Sequence, residues 1–126
     1  MSPGEFDVEI IEAHHRLKAD GPSGTALEIA RRVCRIWDVD PDKAIQFGWY
    51  GKTGERPRGK IGISVIRGGS IVGKHTIIFS GAGEHIEFTH EAESKEAFAR
   101  GAIKAALWVI GKKNGLYDMS NVLGIK

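Results

Sequence analysis

The chain is 126 residues long, room for one ordinary domain with its own core and too short for two full ones. Its 18 Lys and Arg against 16 Asp and Glu leave a formal net charge of +2, which argues against a nucleic-acid partner. A lone cysteine excludes a disulfide framework and fits a reducing cytoplasm, and no apolar run is long enough for a membrane span.

The opening MSPGEF carries little pattern and no secretory signal. In FDVEIIE, residues 6–12, Phe6, Val8 and Ile10 alternate with polar positions, which predicts a strand. From residue 24 to 37, Ala26, Leu27, Ala30, Val33, Cys34 and Trp37 recur at helical spacing, with Glu28, Arg31, Arg32 and Arg35 on the other face. Ser23 or Thr25 can cap this helix, and Pro41 lies beyond its end. Cys34 falls on the apolar stripe, as a buried small hydrophobe rather than a nucleophile.

Residues 45–50 read as a short strand, and GKTGERPRGK, residues 51–60, as an exposed, mobile loop. Two β-branched runs, IGISVIR and SIVGKHTIIFS, flank Gly68 and Gly69 and predict a tight hairpin. A third run, EHIEFTHEA, places Ile86, Phe88 and His90 on one face and extends the hairpin to a meander. A second helix is expected over residues 94–112, with Ser94 as its cap and Phe98, Ala102, Ala105, Ala106 and Val109 on one stripe. The tail, GLYDMSNVLGIK, is apolar enough to suggest an interface. Together these elements predict an α+β domain: a largely antiparallel or mixed sheet of about four strands, two main helices on one face, and an open face for oligomerisation.

Chemistry concentrates in EAHHRLKADGPSGTA, between the first strand and the first helix. A helix start exposes unpaired N–H groups and partial positive charge, so Ser23, Gly24 and Thr25 suit a carboxylate or phosphate; the plainer reading is a capped helix without a ligand. His14, His15, Arg16 and Lys18 put four potential cations near that start and point to an acidic substrate, although paired histidines on a loop are commonly surface residues. The five histidines lack metal-site spacing, so no metal is expected. GGSIVG and GAGEH read as turn glycines, so no dinucleotide fingerprint stands between a strand and a helix. Lys52, Arg56, Arg58, Lys60, Arg67 and Lys74 form a basic span, but no aromatics interleave them as nucleic-acid binding favours.

The same stretch closely resembles the signature of the 4-hydroxy-tetrahydrodipicolinate reductase (dihydrodipicolinate reductase) family, a strand ending in Glu-Ala-His-His followed by Lys-x-Asp-Ala-Pro-Ser-Gly-Thr-Ala. RGGSIVGKHTIIFSGAGEHIEFTHEAESKEAFARGA and GLYDMSNVLGI are similar to the family as well, so the resemblance runs from Phe6 to Ile125. It implies the substrate-binding and tetramerisation domain of a cytoplasmic homotetramer in lysine and diaminopimelate biosynthesis, with the Rossmann-like domain that binds NADH or NADPH outside this chain. His14 and Lys18 match the family's catalytic proton-transfer positions, and His15, Ser23, Gly24 and Thr25 its substrate-carboxylate positions. Gly21, Leu17 and Lys52 depart from the usual alanine, histidine and arginine, and Gly21 loosens the loop.

Overall fold

The computed structural model describes residues 2–125, which form two compact units, one through residue 93 and one from residue 94. In the first unit β1, Asp7–His14, is followed by α1, Gly24–Trp37, α2, Pro41–Ala44, and β2, Ile45–Phe47. Three longer strands come next: β3, Ile61–Arg67, β4, Gly73–Gly81, and β5, Glu84–Ala92. They build one five-stranded mixed sheet in the order β2-β3-β1-β4-β5. β1 is the central strand, parallel to β3 and antiparallel to β4.

The predicted hairpin around Gly68 and Gly69 is not formed, because β1 lies between β3 and β4. A tight turn joins strands one spacing apart, whereas residues 68–72 cross two spacings, roughly 10 Å. The crossing is fastened to the end of β1: Gly68 N–H donates to His14 O at 3.0 Å, and Arg16 N–H donates to Gly69 O at 3.1 Å. The meander therefore reduces to one hairpin, β4 with β5.

The parallel pairing of β1 with β3 requires a long crossover, and α1 supplies it. Ala26, Ala30, Val33, Cys34 and Trp37 are buried on one stripe of α1. Against them lie Val8 and Ile10 of β1 and Ile61 and Ile63 of β3, which together form the core. Each of these aliphatic side chains contributes roughly 1.5–3 kcal/mol by leaving water. Burial pushes the Cys34 thiol pKa up, as befits a core residue.

Loop 51–60 is irregular, as expected, but Arg56 is tucked in. Its guanidinium is paired with Glu9, donates to Val8 O at 2.9 Å and Lys60 O at 2.8 Å, and covers the Trp49 ring at 4.9 Å.

In the second unit α3, Glu96–Val109, starts two residues later than expected and has Lys95, not Ser94, at its cap position; Ser94 Oγ accepts from Glu96 N–H at 3.3 Å. The apolar tail contains a fourth helix, α4, Met119–Leu123, opened by a reciprocal Asp118–Asn121 capping box. The Tyr117 ring meets Trp108 edge-on at 5.2 Å, and Tyr117 Oη donates to Lys113 O at 2.8 Å.

Candidate active site

Along β1, Val8, Ile10, Glu12 and His14 share one face, since strand side chains alternate. Register places Val8 beside Ile61 and Phe79, Ile10 beside Ile63 and Ile77, and Glu12 beside Val65 and His75. Beyond them His14 stands beside Arg67. The core rows are apolar until they reach the start of α1, and there they turn polar.

Glu12 is wholly buried. Arg67 grips it as a fork, Nη1 donating to Oε2 and Nη2 to Oε1, both at 2.7 Å. Ser23 N–H donates to Oε1 at 2.9 Å, and His14 Nδ1 stands 2.7 Å from Oε2. Burial pushes the Glu12 pKa up, but the hydrogen bonds from Arg67, His14 and Ser23 outweigh it and lower the pKa to about 2. Glu12 is therefore an anion at neutral pH, and it raises the pKa of Arg67 in turn.

Ser23 is the N-cap of α1, in extended backbone conformation, and its Oγ accepts from Ala26 N–H at 3.2 Å. The same Oγ lies 3.0 Å from His75 Nε2. The His75 ring meets His14 edge-on at 5.2 Å between centroids. Burial lowers the His75 pKa, with a smaller contribution from the neighbouring His14.

The expected site residues fall into two groups. His14 and Ser23 are joined directly through Glu12. Lys18 is one residue removed: its Nζ donates to the Asp20 carboxylate at 2.7 and 2.9 Å, while Asp20 O accepts from Arg67 at 2.8 Å. His15 is half-buried, and its carbonyl accepts from Lys18 N–H in the intervening turn. Gly24 and Thr25 are exposed in the first turn of α1, where N–H groups have no intrahelical acceptor. Thr25 and His75 also line a cleft of about 510 Å³, together with Ile29, Ile77, Phe88 and His90.

Sequence reasoning passed over Glu12 and Arg67 as site residues and weighed His75 only as a metal ligand. The basic span also reads differently in three dimensions: Arg56 pairs with Glu9, Lys60 Nζ with Lys43 O, Arg67 with Glu12 and Lys74 with Glu91. Four of these six cations are thus engaged within the domain.

The family described as "Dihydrodipicolinate reductase, C-terminus" matches residues 1–123. The chain is 50% identical over 122 residues to the 4-hydroxy-tetrahydrodipicolinate reductase of Pelobacter propionicus, covering 97% of this chain and 46% of that protein. It is 54% identical over 121 residues to that of Syntrophobacter fumaroxidans, covering 96% and 45%. A solved structure, the dipicolinate-bound dihydrodipicolinate reductase from Paenisporosarcina sp. TG-14, is similar with a TM-score of 0.68 and 25% identity, over 91% of this chain and 44% of that one. The chain thus spans slightly less than half the length of these relatives. With a match along nearly its whole length, the chain belongs to the dihydrodipicolinate reductase C-terminal family.

Proposed function

We propose that this chain is the domain of a 4-hydroxy-tetrahydrodipicolinate reductase that binds the cyclic dicarboxylate and handles its proton, in lysine and diaminopimelate biosynthesis in the cytoplasm. The observation that carries this reading is the polar row at the end of β1, where ionised Glu12 holds both His14 and the N–H of Ser23, the residue that caps α1. A carboxylate of the substrate rests on the start of α1, within reach of the Ser23 hydroxyl and the N–H groups of Gly24 and Thr25. Lys18 supplies positive charge and His15 a ring N–H for the substrate's carboxylates, and His14 delivers or takes the proton. The Paenisporosarcina enzyme, solved with the aromatic dicarboxylate dipicolinate, supports this ligand class.

The hydride comes from NADH or NADPH. The β1–α1 turn, HHRLKADGPSGT, lacks the glycine fingerprint that a dinucleotide needs, so the nucleotide is assigned to the part of the relatives that this chain does not match. This chain's share is placement, charge and the proton.

Titration calorimetry of the folded chain with pyridine-2,6-dicarboxylate is expected to show weak binding at millimolar ligand, and the chain by itself is expected to show no reductase turnover. A folded chain that fails to bind at that concentration overturns the preformed site. Turnover by the chain alone overturns the assignment of the nucleotide to another domain.

A second role, assembly into a homotetramer, is favoured by Phe88, 58% exposed on the edge strand β5. Light scattering on wild type and on His14→Ala/Lys18→Ala separates the roles: assembly persists in the variant while dicarboxylate binding is lost.

A further inference from the structure

We propose that Glu12 is a positioning residue that fixes the tautomer of His14, leaving Nε2 as the bare nitrogen that exchanges the proton; this rests on His14 being the proton-handling group. The argument begins with donors. An ionised carboxylate only accepts hydrogen bonds, so the 2.7 Å contact between His14 Nδ1 and Glu12 Oε2 requires the hydrogen to sit on Nδ1. The opposite tautomer would set two acceptors against each other at that distance. When the ring is neutral, Nε2 therefore carries the free lone pair.

The carboxylate is in no position to turn away. Both of its oxygens are held by the Arg67 fork, and that fork is itself braced, Nη1 donating to Ile66 O and Nη2 to Asp20 O, each at 2.8 Å. The fourth donor, Ser23 N–H, ties the same group to the start of α1. One rigid anion thus sets the proton-bearing ring and the carboxylate-binding turn in fixed relation to each other.

A second observation bears on Nε2 itself. Gly73 begins β4 beside His14, and a Cβ there would stand 3.3 Å from Nε2 and 3.5 Å from Cδ2. Gly73 is not among the glycines with positive φ, so its backbone does not call for glycine. What the missing side chain provides is room at Nε2.

The test is the imidazole nitrogen spectrum of the uniformly 15N-labelled chain, recorded by long-range 1H–15N correlation at a pH where the rings are neutral. Histidine in water favours the Nε2–H form, and His85, 68% exposed, serves as the internal reference. His14 is expected to show the reverse, a pyrrole-type Nδ1 and a pyridine-type Nε2. A His14 ring with the water-like pattern in the folded wild type overturns the proposal. In Glu12→Gln the pyridine-type signal is expected to move from Nε2 toward Nδ1, and a folded variant that retains the wild-type pattern overturns it equally. If the variant does not fold, the wild-type spectrum decides. Failure of pyridine-2,6-dicarboxylate binding strikes the proposed function and leaves the tautomer result standing, so the two readings fail separately.

Discussion

Ser23 Oγ lies 3.0 Å from Nε2 of His75, so the residue that caps α1 is also the residue that joins α1 to β4. Ser23→Ala removes both the cap and this bond. The expected loss is about 1–2 kcal/mol of stability, read by urea denaturation. A variant as stable as wild type would mean that the cap contributes nothing here.

His75 gives the molecule a pH dependence of definite sign. Burial lowers its folded pKa below the ordinary histidine value of about 6.5, so just below 6.5 the unfolded chain binds more protons than the folded one. The contribution to stability is complete above pH 6.5 and falls as the pH drops below it. His75→Gln keeps a hydrogen-bonding partner for Ser23 Oγ and is expected to flatten the stability curve on the acid side of 6.5. An unchanged slope sinks the prediction.

Glu12 acts in a lower window. Its folded pKa is about 2 against an ordinary glutamate value of about 4.5, so its contribution is complete above about 4.5 and is lost as the pH falls toward 2. The full difference is on the order of 3 kcal/mol. Guanidinium denaturation of wild type and Glu12→Gln across this range checks it: the variant starts less stable at neutral pH and loses less on acidification. Parallel curves would show that the buried carboxylate is not the group that titrates.

The fold was legible where a local period sets the outcome. The stripe of α1 and the alternation of β1 follow from burial against a single layer, and these two elements and the β-branched run of β3 appear within a residue or two of their expected bounds. Strand pairing is another matter, because the insertion of β1 between β3 and β4 depends on long-range packing that no local period encodes. Of the candidate site, His14, Lys18 and Ser23 stand out in the sequence as a histidine, a lysine and a cap before a helix. Glu12 and Arg67 were missed, yet they occupy the positions that continue the buried rows Val8–Ile10 and Ile61–Ile63. A carboxylate on such a row needs a cation, and once β1 and β3 are known to be neighbours, parity points to Arg67.

At Gly62 the missing side chain leaves room for a carboxylate, as Gly73 leaves room for the His14 ring. A Cβ at Gly62 would run into the Glu9 side chain, which accepts from Trp49 Nε1 at 2.8 Å and pairs with Arg56. Gly62→Ala is expected to displace Glu9, cost about 1–3 kcal/mol, and release the loop that Arg56 anchors. Limited trypsin digestion should then cut faster after Arg58 and Lys60. Cleavage at the wild-type rate would show that Glu9 has room to move aside.

Lys18 enters the proposed site already engaged, since its ammonium donates to both oxygens of Asp20 at 2.7 and 2.9 Å. The lysine holds the Asp20 pKa below the usual carboxylate range, so Asp20 is charged at neutral pH and competes for Lys18 with any incoming carboxylate. Asp20 is exposed, so water and salt screen its ion pair with Lys18 and the competition is weak. Asp20→Asn is therefore expected to tighten pyridine-2,6-dicarboxylate binding by no more than about fivefold. Lys18→Ala is expected to weaken it by more than that, because the charge itself is gone. Calorimetry on the two variants separates a competing carboxylate from one that positions the lysine: weaker binding in Asp20→Asn would mean that Asp20 holds Lys18 ready for the ligand.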